Sequence, residues 1–428
     1  MSNYKIETKC IQSGYTPKKG EPRVLPIYQS TTFKYDTSDQ MGRLFDLEDT
    51  GYFYTRLQNP TNDAVAAKIC DLEGGVGAML TSSGQAANFY AMFNICEAGG
   101  HIVASSAIYG GTYNLLGTTM KKLGIDCTFV SPEADEAELQ AAIRPNTKLI
   151  FGETISNPTL EVLDIELFAR VAHKNGIPLV VDNTFATPIN CRPFEFGADI
   201  VVHSTTKYMD GHATQVGGCI VDSGNFDWMA HKDKFPGLTT KDESYHGIIY
   251  AEKFGKMAYI TKCTTQLMRD LGSIPSPNNC FLLNLGLETL HLRMPRHCAN
   301  ALAVAKYLKN NEKVEWVNYP DLEGDKYHDR QLKYLPNGSC GVVTFGLKGG
   351  RDVAIKFMDN LKLAAIGTHV ADSRTSVLHP ASHTHRQLTD EQLKAAGVNP
   401  DLIRFSVGTE NVEDIIADIE QALKAATV

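Results

Sequence analysis

Short apolar runs alternate with amphipathic stretches through the middle of this 428-residue chain. The runs at 101–105, 148–152 and 177–181 have the length and the apolar composition of buried strands. The stretch at 163–175 shows helical periodicity and stops before Gly176, as helices commonly do. Alternation of this kind predicts βα units, and therefore an α/β fold with a mainly parallel sheet flanked by helices.

The pattern changes twice along the chain and predicts three segments. Residues 1–60 are rich in Tyr, Pro, Lys and Thr and show weak periodicity, which indicates an irregular arm that packs on something else, such as a neighbouring subunit. Residues 61–265 carry the alternating pattern of the α/β domain. Residues 266–428 open with a long helical stretch and continue into a smaller α+β domain, with clear strands at 341–345 and 402–407.

Composition and charge narrow the class of protein. Hydrophobic residues make up 43% of the chain and charged residues 21%, values that are typical of a globular protein. A net charge of −8 without a long basic run argues against nucleic acid as a partner. No apolar stretch reaches the roughly 20 residues that a membrane-spanning helix needs. Because the first residues also lack the apolar core of a signal peptide, we expect a cytoplasmic protein.

Two residues with distinctive chemistry follow two of the predicted strands. Asp182 comes directly after the strand at 177–181. Lys207 follows the next strand, at 198–202, and two hydroxyl residues stand immediately before it. Pyridoxal 5'-phosphate (PLP) needs an amine for a Schiff base, a carboxylate that keeps its ring nitrogen protonated, and hydroxyls for its phosphate. The alternative is an ordinary surface lysine beside a Ser/Thr turn, but the acid at the end of the preceding strand favours the cofactor site.

A candidate phosphate site begins a predicted helix. Ser83, Gly84 and Gln85 follow a possible strand and open an apolar helix. Small residues there let backbone N–H groups approach an anion at the positive end of the helix. The alternative is a plain N-cap by Ser82 or Ser83. The chain has neither GxGxxG nor GxxxxGKS/T, so nothing specific supports a dinucleotide or a nucleoside triphosphate.

Two further side chains suit a cofactor and a substrate. Tyr109 stands beside two glycines in a loop, which suits a ring stacked on a flat cofactor; a core tyrosine is the alternative. Arg404 lies inside an apolar strand, where a guanidinium is costly to bury unless an anion pairs with it. A substrate carboxylate would suit its fork. The alternatives are a structural salt bridge at Arg404, or Arg374 as the carboxylate site.

Histidines and cysteines raise the question of a metal. His379, His383 and His385 are close in sequence, but their segment contains a proline and lacks a helical pattern, so it does not supply i,i+4 ligand geometry. We predict no metal and interpret the segment as a loop that shapes the active-site entrance. The ten cysteines are scattered without a CxxC pair, which favours reduced core thiols over disulfides or zinc ligands.

Several separated motifs resemble, in order, those of the Cys/Met-metabolism family of fold-type I PLP-dependent enzymes, and the resemblance covers nearly the whole chain. The motifs are Tyr54-Thr55-Arg56 with Asn59-Pro60-Thr61, Ser156-Asn157-Pro158-Thr159, Val181-Asp182-Asn183-Thr184, Ser204-Thr205-Thr206-Lys207-Tyr208 with Gly211-His212, and Arg404-Phe405-Ser406-Val407-Gly408 with Glu410. The resemblance implies the fold-type I architecture, in which a mainly parallel sheet flanked by helices is joined by an N-terminal arm and a smaller C-terminal α+β domain.

The resemblance also implies a role for each matching residue. Lys207 would bind the cofactor covalently, Asp182 would pair with its ring nitrogen, and Tyr109 would stack on its ring. Asn157 would reach the ring hydroxyl, and Arg404 would bind the substrate carboxylate. The phosphate would be held by Ser83, Gly84, Gln85, Ser204 and Thr206.

Tyr54 and Arg56 are implied to act across a subunit boundary. They would reach the phosphate of a neighbouring subunit's cofactor, which makes the active site shared and the enzyme a homotetramer built from dimers. Tyr54 and Asn157 would also contact the substrate. Either Tyr54 or Tyr109 would act as a proton donor or acceptor, and the sequence leaves both open.

Within the family, the details resemble the O-acetylhomoserine sulfhydrylases. The similar segments include Tyr109-Gly110-Gly111-Thr112-Tyr113-Asn114-Leu115, Ser244-Tyr245-His246-Gly247, and residues 379–382 with 384–388. The implied reaction is γ-replacement on O-acetyl-L-homoserine by sulfide or methanethiol, which gives homocysteine or methionine plus acetate. Methionine γ-lyases carry a cysteine where Gly111 stands and a methionine where Gln85 stands. Such a lyase, or a cystathionine γ-synthase type of reaction, is the alternative within the family, and a nicotinamide-dependent dehydrogenase is the alternative from another class.

Overall fold

The computed structural model describes residues 4–383 and 399–426, so His385 and the motif at 384–388 lie outside the described residues. The larger of its two sheets has seven strands. They are β1 (Gly77–Thr81), β2 (His101–Ser105), β3 (Asp126–Val130), β4 (Thr147–Glu153), β5 (Leu179–Asp182), β6 (Ile200–His203) and β7 (Gly218–Asp222). Their order is β1-β7-β6-β5-β4-β2-β3. Strands β2 to β6 run parallel, and β7 lies antiparallel to both β1 and β6, which confirms the expected mainly parallel sheet.

Helices connect these strands and pack on the sheet. The α-helices up to the end of the larger sheet are Ile6–Gln12, Ser38–Phe45, Pro60–Glu73, Gly84–Phe93, Gly110–Asn114, Glu136–Ala142, Ile165–Lys174 and Thr187–Asn190. The α-helices that follow are Pro236–Thr239, Tyr250–Phe254, Ala258–Lys262, Arg269–Leu271, Pro277–Glu288, Leu290–Lys309, His328–Tyr334, Gly350–Asp359 and Val412–Ala426. Short 3-10 or π turns join several of them, at Leu115–Thr119, Met120–Leu123, Pro193–Phe196, Met229–His231, Glu243–Tyr245, Gly255–Met257, Cys263–Met268 and Pro380–Ser382.

Local chemistry explains where the helix before β1 begins and ends. The Asn59 side chain accepts a hydrogen bond from the backbone N–H of Thr61, 2.9 Å away, and Pro60 occupies the first helical position. Gly74 ends the helix in the left-handed conformation, with φ of 82°. These two signals place the carboxyl end of the helix directly before β1.

The smaller sheet has five strands. They are β8 (Val314–Asn318), β9 (Val342–Leu347), β10 (Ala365–Ile366), β11 (Ser376–Leu378) and β12 (Ile403–Ser406), in the order β10-β11-β12-β9-β8. Only the β10–β11 pair is parallel among the strand pairs of this sheet in the described part of the chain. Both strands predicted from the sequence, at 341–345 and 402–407, are central strands here.

Two hydrophobic cores lie behind the two sheets. The helix Leu290–Lys309 joins them, because Leu290 and Met294 pack in the larger core and Val304 and Leu308 pack in the smaller one. The sequence predicts one long helix near 283–310, but a break at Thr289 divides it. The proposed segment boundaries at 60 and 265 stay a prediction.

The arm is less irregular than its sequence suggests. It contains the helices Ile6–Gln12 and Ser38–Phe45, and Thr37 caps the second by accepting a hydrogen bond from the backbone N–H of Gln40. Helices this short show too few turns for a clear hydrophobic period. None of the helices in residues 4–383 and 399–426 combines the length and the hydropathy that crossing a membrane requires.

Candidate active site

The carboxyl ends of the central parallel strands bring the candidate chemistry to one edge of the larger sheet. Asp182 is the last residue of β5, and Lys207 lies in the turn after β6. Glu153, the last residue of β4, stands in register beside Asp182. Because β1 runs in the same direction as β6, the helix that starts at Gly84 also begins at this edge. Ligands of open α/β sheets bind at this position in general.

Asp182 is a buried carboxyl that is held in place from one side. It accepts hydrogen bonds from the backbone N–H of Thr184 at 3.0 Å and from the Thr184 hydroxyl at 2.5 Å. Burial raises the pKa of Asp182, and the bonds from Thr184 and the nearby His203 oppose that rise. A buried carboxyl of this kind gains from a cationic partner such as a protonated ring nitrogen.

Lys207 has an amine that loses its proton unusually easily. Burial and, to a smaller extent, the positive charge of Arg404 lower its pKa to about 8. A lysine with a depressed pKa has more of the neutral amine that attacks a carbonyl carbon. Its partial burial and depressed pKa disfavour the alternative of an ordinary surface lysine.

Arg404 is buried, at 7% exposure, and is held by neutral groups. Its Nη1 donates to Asn157 Oδ1 at 3.2 Å, and its Nη2 donates to the Thr368 carbonyl at 3.1 Å. Its Nε is buried without a hydrogen-bond partner among the described residues. Burial lowers the pKa of Arg404 to about 10. A guanidinium in this state suits an incoming carboxylate.

Arg374 has a different environment. Its side chain is 70% exposed and pairs with Asp372 at 3.1 Å, and its Nη2 also donates to the His212 carbonyl at 2.7 Å. Because its charge is already paired and solvated, the structure favours Arg404 over Arg374 as the carboxylate site.

The residues expected at the phosphate converge around the start of the helix Gly84–Phe93. Ser83 caps this helix by accepting a hydrogen bond from the backbone N–H of Ala86 at 3.1 Å, so the N-cap reading holds for this residue. Gly84 lies so near Ser204 that a Cβ on it would stand 2.6 Å from Ser204 Cβ. The Thr206 hydroxyl accepts a hydrogen bond from the backbone N–H of Gly217 at 3.0 Å. The glycine thus lets the start of this helix, with its free backbone N–H groups, approach the turn before Lys207 closely, and an anion binds well at such a helix end.

Tyr109 and Asn157 stand on the two loops that follow β2 and β4. Tyr109 is 48% exposed, which excludes a core tyrosine, and its backbone N–H donates to Glu153 Oε1 at 2.7 Å. A Cβ on Gly111 would lie 3.1 Å from Tyr109 Cζ, so the glycine leaves space for the tyrosine ring. Asn157 contacts Arg404, as described above. Both side chains are therefore available to a ring bound between Lys207 and Asp182.

Tyr54 and Arg56 are not brought to this edge within one chain. They line a separate cavity of about 1110 Å³, and Lys207, Asp182 and Tyr109 are not among its described lining residues. Arg56 donates to the carbonyl of Arg269, and its guanidinium lies 5.3 Å from the Tyr54 ring centre.

The described part of the histidine segment ends at His383, and hydrogen bonds hold His379 within it. His379 is buried, with its Nδ1 2.9 Å from the Ser382 hydroxyl and its Nε2 2.9 Å from the Pro400 carbonyl. The residues described here contain no group of three or more His, Cys, Asp or Glu side chains arranged to hold a metal.

Two residues of the site, Glu153 and His369, were not identified from the sequence. Glu153 ends β4 just as Asp182 ends β5, and that shared position is a signal that could have identified it. His369 gave no such signal. Its Nε2 is buried without a hydrogen-bond partner in the described part, 4.0 Å from Asp372 Oδ2, and burial together with the charge of Lys207 lowers its pKa.

The site's residues fit PLP on three observations. Gly84 lets the start of its helix approach the turn before Lys207, Asp182 is a buried carboxyl suited to a cation, and Arg404 has a buried unpaired N–H. The donor set therefore matches the phosphate, the ring nitrogen and the substrate carboxylate that such a cofactor site must hold.

Comparison with known proteins points to the same cofactor. The model of the family "Cys/Met metabolism PLP-dependent enzyme" matches residues 7–424. The chain is 47% identical to a homocysteine synthase of Schizosaccharomyces pombe, over 98% of each chain. It is 45% identical to an O-acetyl-L-homoserine sulfhydrylase of Leptospira meyeri, over 99% of this chain and 97% of the relative.

Solved structures agree with the sequence relatives. A Campylobacter jejuni structure described as an O-acetylhomoserine (thiol)-lyase, which contains N'-pyridoxyl-lysine-5'-monophosphate, has a TM-score of 0.95 and 35% identity over 98% of this chain and 100% of its own. MetB from Corynebacterium glutamicum has a TM-score of 0.84 and 34% identity over 99% and 98%. These matches leave the nicotinamide-dependent dehydrogenase without support. Because the family model spans nearly the whole sequence, the chain belongs to the Cys/Met metabolism family of PLP-dependent enzymes.

Proposed function

We propose that this enzyme catalyses γ-replacement on O-acetyl-L-homoserine, with sulfide or methanethiol as the incoming nucleophile and homocysteine or methionine plus acetate as products. The observation that carries the proposal is the identity of 40–47% with homocysteine synthases and O-acetyl-L-homoserine sulfhydrylases over nearly full length. The site supports it, because a buried Arg404 without an acidic partner in the described residues stands beside an easily deprotonated Lys207.

The reaction needs a proton to leave the substrate Cα and later a second proton to leave Cβ. When bound, PLP supplies an electron sink for the Cα proton loss. Lys207 would take the proton at Cα, since burial lowers the pKa of its amine and leaves more of it in the neutral, basic form. Asp182 would keep the ring nitrogen protonated, because a buried carboxylate favours a cation beside it.

Arg404 would orient the substrate through its α-carboxylate. Its Nη1 already contacts Asn157 and its Nη2 the Thr368 carbonyl, so its fork is fixed before substrate binds. A fixed fork loses little entropy on binding and sets the Cα–H bond relative to Lys207. Asn157, which touches Arg404, would contact both the ring hydroxyl and the substrate.

The incoming thiol gives up its proton as it bonds to the γ-carbon, whereas the acetate leaves as a carboxylate that needs no proton. A group that can accept or relay that proton is therefore needed close to the γ-carbon. Tyr109 would serve from the same chain, and Tyr54 from a neighbouring one. Phenylalanine at each position separates them, because the residue that moves the proton loses kcat when its hydroxyl is removed, whereas one that only stacks keeps it.

We further propose that the active sites are shared within a homotetramer. Tyr54 and Arg56 lie away from Lys207 in their own chain and are available to a partner's phosphate. The exposed Tyr28, Phe45 and Tyr54 of the arm provide apolar area for such packing.

The test of the function is a product assay on the purified PLP-loaded enzyme. O-acetyl-, O-succinyl- and O-phosphohomoserine are each supplied with sulfide or with methanethiol, and homocysteine, methionine and the released acid are measured. The proposal expects the highest kcat/KM with the acetyl ester and one released acetate for each product molecule.

A parallel reaction with methionine alone distinguishes the lyase alternative. Rapid release of 2-oxobutyrate and methanethiol from methionine would replace the proposal with α,γ-elimination. Cystathionine formed from cysteine and a homoserine ester faster than homocysteine from sulfide would favour the cystathionine γ-synthase type.

A further inference from the structure

Glu153 is a buried carboxyl that the proposed chemistry does not use. It is 6% exposed and ends β4, one strand away from Asp182. The register of the parallel pair places Glu153 directly beside Asp182. Paired residues of neighbouring parallel strands point to the same face of a sheet, so both carboxyls face the ring site.

Glu153 ties together the two loops that carry the ring contacts. Its Oε1 accepts the backbone N–H of Tyr109 at 2.7 Å, and the backbone N–H of Asn157 lies close to the same carboxyl and lowers its pKa. Tyr109 and Asn157 belong to the loops after β2 and β4. One side chain therefore sets the distance between the stacking residue and the residue at the ring hydroxyl.

Two neighbouring buried carboxyls cannot both be ionised without a large cost. Their partners differ. Asp182 accepts hydrogen bonds from both the hydroxyl and the backbone N–H of Thr184, and the nearby His203 also opposes the rise in its pKa. The Nε2 of His203 lies 2.6 Å from Glu73 Oε1. Burial and the charge of Asp182 raise the pKa of Glu153 well above its ordinary value.

We propose that Glu153 is a positioning residue of the ring site, whose neutral carboxyl fixes the Tyr109 and Asn157 loops and leaves Asp182 as the single negative charge at the ring nitrogen. The inference rests on the proposed roles of Asp182, Tyr109 and Asn157 in cofactor binding. It does not depend on which homoserine ester or thiol is the substrate.

The first test changes charge and keeps shape. Glu153→Gln is neutral and retains an oxygen acceptor for the Tyr109 N–H. The pH at which the visible band of the cofactor–Lys207 imine changes should move by less than about 0.3 units, because no charge is lost. Removal of an ionised carboxylate would instead lower that pH by about one unit or more. A shift of that size overturns the proposal.

The second test keeps volume and removes the hydrogen-bond acceptor. Glu153→Met should weaken PLP binding to the apoenzyme by about tenfold or more, because the backbone N–H of Tyr109 loses its acceptor and that of Asn157 loses a nearby carboxyl. The visible circular dichroism of the bound cofactor should also fall, since the ring is held less firmly. Unchanged affinity and dichroism in this variant would overturn the positioning role.

Asp222 provides the matched control. It is also a buried strand-end carboxyl, with its pKa raised to about 7 by burial, but it pairs with Ile200 at the opposite edge of the sheet. Asp222→Asn should leave the imine band, its pH midpoint and the PLP affinity as in the wild type. Equal effects at both positions would make the Glu153 result a matter of general stability and refute the proposal. All readouts need no amino-acid substrate, so their failure leaves the proposed γ-replacement to its own product assay.

Discussion

Lys207 and Arg404 are two cationic side chains in one buried region. Burial lowers the pKa of both, to about 8 and about 10, and the charge of Arg404 adds to the effect on Lys207. The site therefore carries an excess of positive potential before any ligand binds. An anionic substrate relieves it, and so does covalent use of the amine, which removes one of the two charges.

The pH dependence of cofactor attachment follows from Lys207. The neutral amine attacks the aldehyde, so the rate of imine formation on the apoenzyme should rise with pH through about 8 and level off above it. An ordinary lysine would continue to gain rate up to about pH 10.4. The visible band that appears after PLP is mixed with apoenzyme measures the rate. Lys207→Ala should bind PLP without forming that band, and a wild-type rise centred near pH 10 would contradict the depressed pKa.

Arg404→Ala should weaken productive binding of the amino-acid substrate. Loss of a buried charge partner costs about 2–5 kcal/mol, so kcat/KM should fall by roughly 30-fold or more. Arg374→Ala is the matched control, because that arginine is 70% exposed and already paired with Asp372. Steady-state kinetics on both variants decide the matter. Equal losses of kcat/KM in the two variants, or a loss in Arg374→Ala alone, would contradict Arg404 as the group that binds the substrate carboxylate.

At the scale of secondary-structure elements, the positions of the site residues depend on where the strands of the larger sheet end. The sequence predicts the strands before Asp182 and Lys207 and the helix Ile165–Lys174 to within about two residues, because a continuous apolar run and a helical period are both visible in the local sequence. The loop between β10 and β11 is different. Its backbone is fixed by distant contacts, such as the Ser373 N–H to the Gly211 carbonyl at 3.0 Å, so local pattern cannot place it.

The start of the helix Gly84–Phe93 yields a prediction for one element. Gly84→Ala would set a Cβ 2.6 Å from Ser204 Cβ and 2.9 Å from its Cα, so the helix must move away from the turn before Lys207. Overpacking of this kind costs about 1–3 kcal/mol, and PLP affinity should fall by about ten- to hundredfold. Gly42→Ala is the control, because a Cβ at that helical glycine meets nothing within 4 Å. Equilibrium dialysis of PLP compares them, and wild-type affinity in Gly84→Ala would refute a phosphate at this helix.

At the scale of the whole molecule, the arm residues proposed to reach a cofactor phosphate line a different cavity from the strand ends that carry Lys207. Tyr54 and Arg56 line the large cavity beside Tyr245 and Met268, whereas Lys207 stands at the strand ends. A site built from two chains would give Tyr54, Arg56 and Lys207 roles in the same reaction. A dimer with twofold symmetry contains two equivalent sites of this kind. Light scattering should give the mass of four chains of 47.0 kDa.

Mixing inactive variants tests the sharing directly. Lys207→Ala lacks a group of the body and Arg56→Ala lacks a group of the arm, so a mixed dimer has one intact site and should regain activity. Lys207→Ala mixed with Asp182→Ala is the control. Both defects lie in the body, and no mixed site is intact. Recovery in the control, or none in the first mixture despite exchanged subunits, would contradict active sites built from two chains.

The amino-acid sequence by itself determined the alternating strands and helices, the acid and the lysine at successive strand ends, and the family motifs. These are properties of short segments, and each segment carries its own burial pattern. Only the tertiary structure placed Glu153 beside Asp182, since that pairing depends on β4 and β5 being neighbours in register. It alone joined Arg404 to Asn157, 247 residues earlier, because such contacts arise from the packing of the two sheets and leave no periodic trace in the chain.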